Sequence, residues 1–439
     1  MSNESGKTLG IGLVGFGTVG TGVWETLHRN FDLISKRSGV EVEIMRIAVR
    51  DINKTRSEDA PVEKFTTDWK DVVSDPTVDI VVELIGGTTI AYDIVAAALR
   101  ERKPVVTGNK ALLAERGEEL FALSLEFNTP IHFEAAVAGG IPIIKTVQDS
   151  FVGNRIQSMV GIINGTSNYI LERMTDAGLG YEEALGEAQQ LGYAEADPTL
   201  DVNGWDAAHK AILLATLAYG FTIDPKHVYV RGIEMVREID IEFAKRLGFV
   251  VKLLCVVREH QDGLIEVRTQ PSFIPRSHVL SSVNGVFNAV AVKGDAAGDS
   301  LFYGRGAGKG PTASSVVADI VEAALGLGHE GGHRGFLPYK KDGTVMDIED
   351  TQTPYYVRFD VTDEPGVIAK IANELADAGI GISGTHSPVN PDNPDAEFVD
   401  MVFQLHTCRF GLLKDTLKSI EELSCVNSRP VVFRIENLG

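Results

Sequence analysis

Cysteine is scarce and scattered: the chain holds three, Cys255, Cys408 and Cys425, in 439 residues. The count is odd, and no pair has zinc-ligand or dithiol redox spacing. A disulfide scaffold is therefore not expected, and the thiols suit a reducing, cytoplasmic compartment. Basic residues are also in deficit, 41 Lys and Arg against 61 Asp and Glu, for a net charge of −20. No Lys/Arg block offsets that average, so neither nucleic acid nor an anionic membrane surface is an expected partner. Long apolar runs are missing too. The longest, Ala211–Phe221, falls well short of the about 18 residues that a membrane helix needs. The first residues, MSNESGKT, are polar, with no basic segment running into an apolar one, so a secretory leader is not expected.

What remains is an ordinary globular composition, 44% apolar and 23% charged, able to bury several cores. At roughly 100–200 residues per domain the length suggests about two to four domains. Residues 1–141 alternate strand and helix. Strands are expected over 8–14, 42–49, 78–85, 104–108 and from 130, and helices over 18–36, 92–100 and 111–127. Such alternation predicts an α/β domain, a Rossmann-type parallel sheet with helices on both faces. Residues 142–335 mix strand-like stretches (158–163, 250–259, 264–269) with long helical patterns. They are expected to form an α+β catalytic domain that also serves dimerisation. Residues 336–353 have the composition of a linker. Residues 354–439 read strand-helix-strand-strand-helix-strand, a ferredoxin-like order, with a polar turn at 388–396.

The first strand runs into Gly15-Phe16-Gly17-Thr18-Val19-Gly20, which opens a helix. The first glycine allows the tight turn, the second lets backbone approach a pyrophosphate, and the third lets helix and strand pack closely. The helix N-terminus adds N–H groups and partial positive charge. A bare GxGxxG is weak in a chain with 45 glycines; the strand before and helix after give it weight. The second strand ends in Val49-Arg50-Asp51. An acid there takes the ribose hydroxyls of NAD, and an arginine accommodates the 2′-phosphate of NADP. Arg50, with Lys54 and Arg56 behind it, favours NADP, while Asp51 leaves NAD open.

Lys110 stands at the C-terminal end of a predicted parallel strand, where ligands of such sheets bind. It is either a donor to a carbonyl oxygen or a surface lysine at a helix start. Further on come Glu195, Asp197, Asp201, Asp206 and Lys210. Asp206 and Lys210 are four apart and share one helical face. Lys210 then runs into Ala-Ile-Leu-Leu-Ala-Thr-Leu-Ala, which reads as a buried helix. A lysine facing a core needs a partner, and burial would draw its pKa toward neutrality, as a proton donor requires. The acids could bind a substrate ammonium or pair among themselves. The stretch from Gly304 to Thr312 is a second Gly-rich segment before a helix, read either as a lid over the cofactor or as a flexible connection.

Together these motifs resemble homoserine dehydrogenases over about residues 9–325. The resemblance is carried by GFGTVG, TGNKALLA (107–114), EAAVAGGIPII (134–144), NGTSNYIL (164–171) and, most specifically, EADPTLDVNGWDAAHK (195–210). The C-terminal segment, with Asp363-Glu-Pro-Gly-Val367, resembles an ACT domain, a module that commonly binds an amino acid between paired copies. The resemblance implies reversible reduction of L-aspartate 4-semialdehyde to L-homoserine. It implies Lys210 as proton donor and Lys110 as a second acid/base. Asp206 would orient Lys210 or the substrate, and Glu195 and Asp201 would hold the substrate's amino group. Gly165 and Thr166 would belong to the loop that closes on substrate and nicotinamide, and Gly308 would meet the cofactor. It further implies a monovalent cation, usually Na+, on the main-chain carbonyls of Glu134, Val137, Gly139 and Ile141. Position 139 is often Ala in relatives, and the carbonyl survives that change. A homodimer or homotetramer and feedback inhibition by threonine through the ACT module are also implied. Residues after about 350 are then expected to be dispensable for activity. A semialdehyde dehydrogenase forming an acyl phosphate would need a nucleophilic cysteine near the sheet, and none lies in the first half of the chain. A non-catalytic nucleotide and amino-acid sensor would not need Lys110 and Lys210.

Overall fold

The computed structural model describes residues 8–54, 60–327, 335–340, 342–387 and 397–438. Arg56, residues 328–334 and 341, and the turn 388–396 lie outside them. By internal contacts the chain divides into two compact units. One holds residues 1–165, 206–226 and 287–343; the other holds 166–205, 227–286 and 344–439. Neither unit is one continuous stretch.

In the first unit, β1 (Leu9–Val14), β2 (Val42–Ala48), β3 (Phe65–Thr66), β4 (Ile80–Glu83), β5 (Val105–Thr107) and β6 (Ile131–His132) form a sheet. All pairings are parallel and the order is β3-β2-β1-β4-β5-β6. The strands are Val/Ile-rich because helices cover both faces; Ile80, Val81 and Val82 are each fully buried. Strand order reverses between β1 and β4, the switch point at which open α/β sheets bind ligands.

The single helix expected over 18–36 is two helices, Thr18–Arg29 and Phe31–Ser38. Asn30 breaks it, at φ −109° and ψ 18°. Its N–H closes the first helix on the Thr26 carbonyl, and its carbonyl accepts from Ile34 N to open the second. Asparagine favours such caps over helix interiors. The β3 strand and the short helix Trp69–Val73, capped by Asp68, were not anticipated.

Beyond the parallel sheet come β7 (Ile156–Ile162), β8 (Tyr229–Val230), β9 (Phe249–Glu259) and β10 (Ile265–Pro275). Then follow β11 (Phe287–Gly294) and β12 (Gly298–Arg305). In the first unit β7, β11 and β12 pair antiparallel. In the second, β9 and β10 pair antiparallel over their whole lengths. The expected strand end at Thr269 is passed: Pro271 removes one donor, yet the ladder continues to Pro275 opposite Phe249.

The last segment forms β13 (Gln352–Thr362), a helix Val367–Asp377, β14 (Ile382–His386), β15 (Phe398–Arg409), a helix Phe410–Glu421 and β16 (Val431–Ile435). This is the expected ferredoxin-like order, with strands arranged β16-β13-β15-β14. Its core joins Val357, Phe359 and Phe403 to helix positions Val367, Ile371 and Leu375, spaced four apart on one face.

One expectation is corrected here. The segment after residue 350 is not a detachable appendage. Strand β16 pairs in parallel with β10, Ser272 opposite Arg434 and Phe273 opposite Ile435. The buried Arg268 guanidinium donates to Glu266 Oε1 at 2.6 Å and to Glu436 Oε2 at 3.0 Å. Removing the segment would bare β10 at Ser272 and Phe273 and take away half the anionic charge around Arg268, a costly loss in a buried place.

The same unit contains a second buried ion pair. Arg358 Nε donates to Asp240 Oδ1 at 2.8 Å, and Tyr356 OH donates to the same oxygen at 2.9 Å. Arg358→Met should strand the Asp240 charge and cost about 3–5 kcal/mol in chemical denaturation, with Arg358→Met/Asp240→Leu recovering most of it. A loss below about 1 kcal/mol in the single variant would contradict that role.

Candidate active site

The GFGTVG loop follows β1 at the switch point. Gly15 has φ +107°, and a Cβ there would lie 2.7 Å from the Leu84 carbonyl oxygen, so only glycine fits. A Cβ on Gly20 would approach the Gly15 oxygen to 2.1 Å, which fixes the close helix–strand contact. A Cβ on Gly17 would meet nothing within 4 Å. The loop is thus packed at its ends and open at its middle. The helix Thr18–Arg29 has no acid in its first turn and no side-chain cap. Its leading N–H groups suit a diphosphate, and the residues fit a dinucleotide. Phe16 and Val19 turn toward the domain core, Phe16 packing on Phe65 with ring centroids 5.2 Å apart. Their side chains are thus engaged in the core, which leaves backbone to face the loop's open middle.

The late Gly-rich segment comes to the same helix. A Cβ on Gly22 would lie 2.8 Å from the Lys309 carbonyl oxygen, and Lys309 Nζ pairs with Glu25 at 2.6 Å. Gly308 is not in a slack connection; it immediately precedes the helix Lys309–Leu327. Arg50 is exposed just beyond β2. Asp51 Oδ1 accepts from Asn53 N at 2.8 Å, a bond within its own loop.

The end of β5 is held by a buried carboxylate. Glu83 is fully buried; its Oε2 accepts from Thr107 Oγ1 at 2.7 Å and its Oε1 from Ile85 N at 2.8 Å. Asn109 then caps the helix Lys110–Phe127, its Oδ1 accepting from Leu112 N at 3.1 Å and its Nδ2 donating to the Gly87 carbonyl at 2.7 Å. Lys110, the first helical residue, is aimed by this cap.

Lys110 meets the helix Trp205–Tyr219, which from Asp206 on is also in the first unit. Its Nζ lies 3.1 Å from Asp206 Oδ1. Lys210 Nζ donates to Asp206 Oδ2 at 2.7 Å and to the Ile163 carbonyl at 2.7 Å. Asn164 Nδ2 donates to Asp206 Oδ2 at 2.8 Å. One carboxylate therefore joins two ammonium groups and an amide. Side-chain exposure is 10% for Lys210 and 35% for Lys110, so Lys210 is the more enclosed of the two. Burial pushes the Asp206 carboxyl up, but the charges of Lys210 and Lys110 and the bonds from Lys210 and Asn164 outweigh it and hold the group well below the usual carboxylate range. Beside them His209 is buried, and desolvation draws its pKa down although Glu115 opposes. The burial expected for Lys210 is present, and so is the partner such burial requires.

Asn164 opens NGTSNYIL, and no residue pattern in that motif points to Asp206. Only its place at the end of the β7 connection, two residues past Ile162, could have signalled it. Glu195 and Asp201 belong to the second unit, as does Thr166. There Thr166 Oγ1 donates to the Tyr193 carbonyl at 2.8 Å, and Ser167 Oγ donates to the Asp201 carbonyl at 2.9 Å. Gly165 begins the helix Gly165–Ala177 and falls in the first unit.

Residues 134–139 and Ile141 are buried, with Gly140 exposed between them. Ala138 and Gly139 have φ of +54° and +50° in succession. A Cβ at 139 would lie 2.3 Å from the Gly306 carbonyl oxygen, so this chain requires glycine there. The Gly139 carbonyl accepts from Ser315 Oγ at 2.6 Å. Among the described residues no group of three or more His, Cys, Asp or Glu side chains is arranged to hold a metal ion. Main-chain oxygens are the donors this turn offers, and they suit a hard cation.

A loop open to a diphosphate and an ammonium anchored for one remaining donation define a class, the nicotinamide-dependent oxidoreductases. Comparison with known proteins makes this specific. Residues 15–134 match the family model "Homoserine dehydrogenase, NAD binding domain", and residues 142–321 match "Homoserine dehydrogenase". The chain is 41% identical to a homoserine dehydrogenase of Pseudomonas aeruginosa, covering 99% of this chain and 100% of that one. It is 39% identical to one of Bacillus subtilis, covering 99% of each. The crystal structure of a homoserine dehydrogenase from Thiobacillus denitrificans superposes with a TM-score of 0.92 at 41% identity, over 99% of each chain. A hyperthermophilic archaeal homoserine dehydrogenase in complex with NADPH aligns with a TM-score of 0.63 at 27% identity, over 75% of this chain and 100% of that one. The chain belongs to the homoserine dehydrogenase family and is an NAD(P)-dependent oxidoreductase acting on a CH–OH group. No helix among its described residues is long and apolar enough to cross a membrane.

Asn164→Ala should lower kcat about tenfold with little change in cofactor KM, because it loosens the carboxylate that positions both lysines. Turnover within twofold of wild type would show that Asn164 has no such part.

Proposed function

We propose that the chain catalyses the reversible reduction of L-aspartate 4-semialdehyde to L-homoserine, with Lys210 as the proton donor. The observation that carries this is the anchoring of Lys210 Nζ by Asp206 and the Ile163 carbonyl. An ammonium has three N–H donors, so these two bonds leave one for the substrate's carbonyl oxygen. When bound, the nicotinamide supplies the hydride and takes it back in the reverse direction. As charge develops on the oxygen, the Lys210 ammonium stabilises it and gives its proton. Asp206 keeps both lysine heads converged, and Lys110 is the second acid/base. Glu195 and Asp201 take the substrate's ammonium. Gly165 and Thr166 close on substrate and nicotinamide chiefly through main chain, since the Thr166 hydroxyl is bonded to the Tyr193 carbonyl.

The reading extends to NADP as the preferred cofactor. Arg50 is exposed beside a loop in which Asp51 already accepts a backbone N–H, and an archaeal relative is described in complex with NADPH. It includes a sodium-type cation on the carbonyls of Glu134, Val137, Gly139 and Ile141, supported by the buried turn with two successive left-handed residues. It includes the functional segments 1–141, 142–335, 336–353 and 354–439, the last an ACT module that takes threonine as feedback inhibitor. A homodimer or homotetramer in the cytoplasm completes it. Oxidation to an acyl phosphate is disfavoured, because it needs a nucleophilic thiolate; Cys255 and Cys425 are buried, and burial pushes the Cys408 thiol up to about 11.

NADPH oxidation with aspartate semialdehyde tests the central part. Lys210→Ala should slow turnover about 10²–10⁴-fold; near-normal turnover would overturn the assignment. In the same assay Arg50→Ala should raise KM for NADPH more than for NADH, choline in place of sodium should slow turnover, and L-threonine should inhibit. Equal KM changes, or indifference to cation or threonine, would each remove that part of the reading.

A further inference from the structure

The second unit carries a pocket of about 250 Å³ whose residues have no part in the reading above. One wall is the helix Gly165–Ala177, which presents Glu172 and Asp176. Another is the turn after β10, with Arg276, Ser281 and Ser282. Lys252 of β9 forms the floor, with 4% of its surface exposed. Its Nζ donates to the Val283 carbonyl at 2.7 Å, to Asn168 Oδ1 at 3.0 Å and to Asn284 Oδ1 at 3.2 Å. All three donors are spent, so Lys252 contributes positive charge rather than a direct bond. Desolvation draws it down to about 8, which makes that charge sensitive to what lies above it.

The walls carry both signs. An anion would meet Glu172 and Asp176; a cation would meet Arg276 above Lys252. A small zwitterion answers both, with its ammonium toward Glu172 and Asp176 and its carboxylate toward Arg276; the Ser281 and Ser282 hydroxyls already donate to the Arg276 and Val279 carbonyls. Pockets for drug-sized ligands run to about 300–1,000 Å³, so this one suits a metabolite of amino-acid size. The pocket floor is also tied to the start of the helix. Asn168 accepts from Lys252 and donates Nδ2 to the carbonyls of Val283 at 3.0 Å and Gly285 at 2.9 Å. Glu172 accepts from Gly285 N on the next turn of the helix. The helix begins at Gly165 and Thr166, the residues proposed to close on substrate.

We propose that this pocket binds a small free α-amino acid as its zwitterion, at a site separate from the C-terminal module, and that occupancy acts on the Gly165–Ala177 helix. The binding claim stands apart from the reading of the catalytic site; the action on the helix rests on it.

Calorimetric titration of the full-length protein with glycine, L-serine and L-threonine tests it, each alongside its N-acetyl and amide forms. The comparison variant is Asp176→Asn/Arg276→Gln, at two exposed positions, which should keep wild-type circular dichroism and basal turnover. At least one free amino acid should bind wild type, with tenfold or greater loss in the double variant and in both blocked forms. Binding by none, binding unchanged in the variant, or equal binding of blocked forms would overturn the site; threonine binding that survives in the variant belongs to the C-terminal module. A saturating ligand should change KM for homoserine in wild type and not in the variant. An unchanged KM would overturn the action on the helix. Absence of dehydrogenase activity in wild type would instead defeat the proposed function and leave the binding result standing.

Discussion

The Asp206 carboxylate is the interaction on which the site depends. Two lysines brought to one place repel each other, and each loses solvation as it is enclosed. Asp206 offers Oδ1 to Lys110 and Oδ2 to Lys210, with Asn164 on the second oxygen. A single negative charge therefore organises two positive ones, and the net positive charge that remains suits a carbonyl oxygen gaining electrons. Without it Lys210 keeps only the Ile163 carbonyl, and nothing offsets the repulsion between the two ammonium groups.

The fold serves that arrangement from several directions. The parallel sheet ends Lys110 at the lip of β5, through Glu83, Thr107 and Asn109. The helix Trp205–Tyr219 is buried on nearly every side and carries Asp206 and Lys210 one turn apart. The connection after β7 gives the Ile163 carbonyl and Asn164. The glycine loop lies on the strand next to β4, at the sheet's switch point, so dinucleotide and ammonium groups arise at the same edge. Stretches of sequence far apart along the chain thus bring Lys110, Asn164, Asp206 and Lys210 together within one unit.

Much of this was legible from residues alone. The Val/Ile runs and the helix-period segments specify the parallel sheet, because both signals are local. Gly15 and Gly20 were readable because each meets a different steric demand in a known order, while the space beside Gly17 is open. The pairing of Asp206 with Lys210 followed from their spacing of four. What could not be read was set by distant partners. Asn30 looked like one more polar residue on a helix until its cap geometry split that helix. Lys110 was as plausible on the surface as in the site, because only folding brings it to Asp206. Asn164 opens the NGTSNYIL motif, but nothing in its spacing ties it to Asp206, forty-two residues on. The C-terminal segment read as detachable because its pattern is self-contained; the β10–β16 pairing and the Arg268–Glu436 bond are properties of register, which sequence does not reveal.

The most direct test of the account is a double-mutant cycle on kcat for Asp206→Asn and Lys210→Gln. If Asp206 acts by holding Lys210, the two residues form one functional unit, and the double variant should be no slower than the Lys210→Gln variant within about threefold. Losses that multiply, each substitution lowering kcat by the same factor whether or not the other is present, would contradict it.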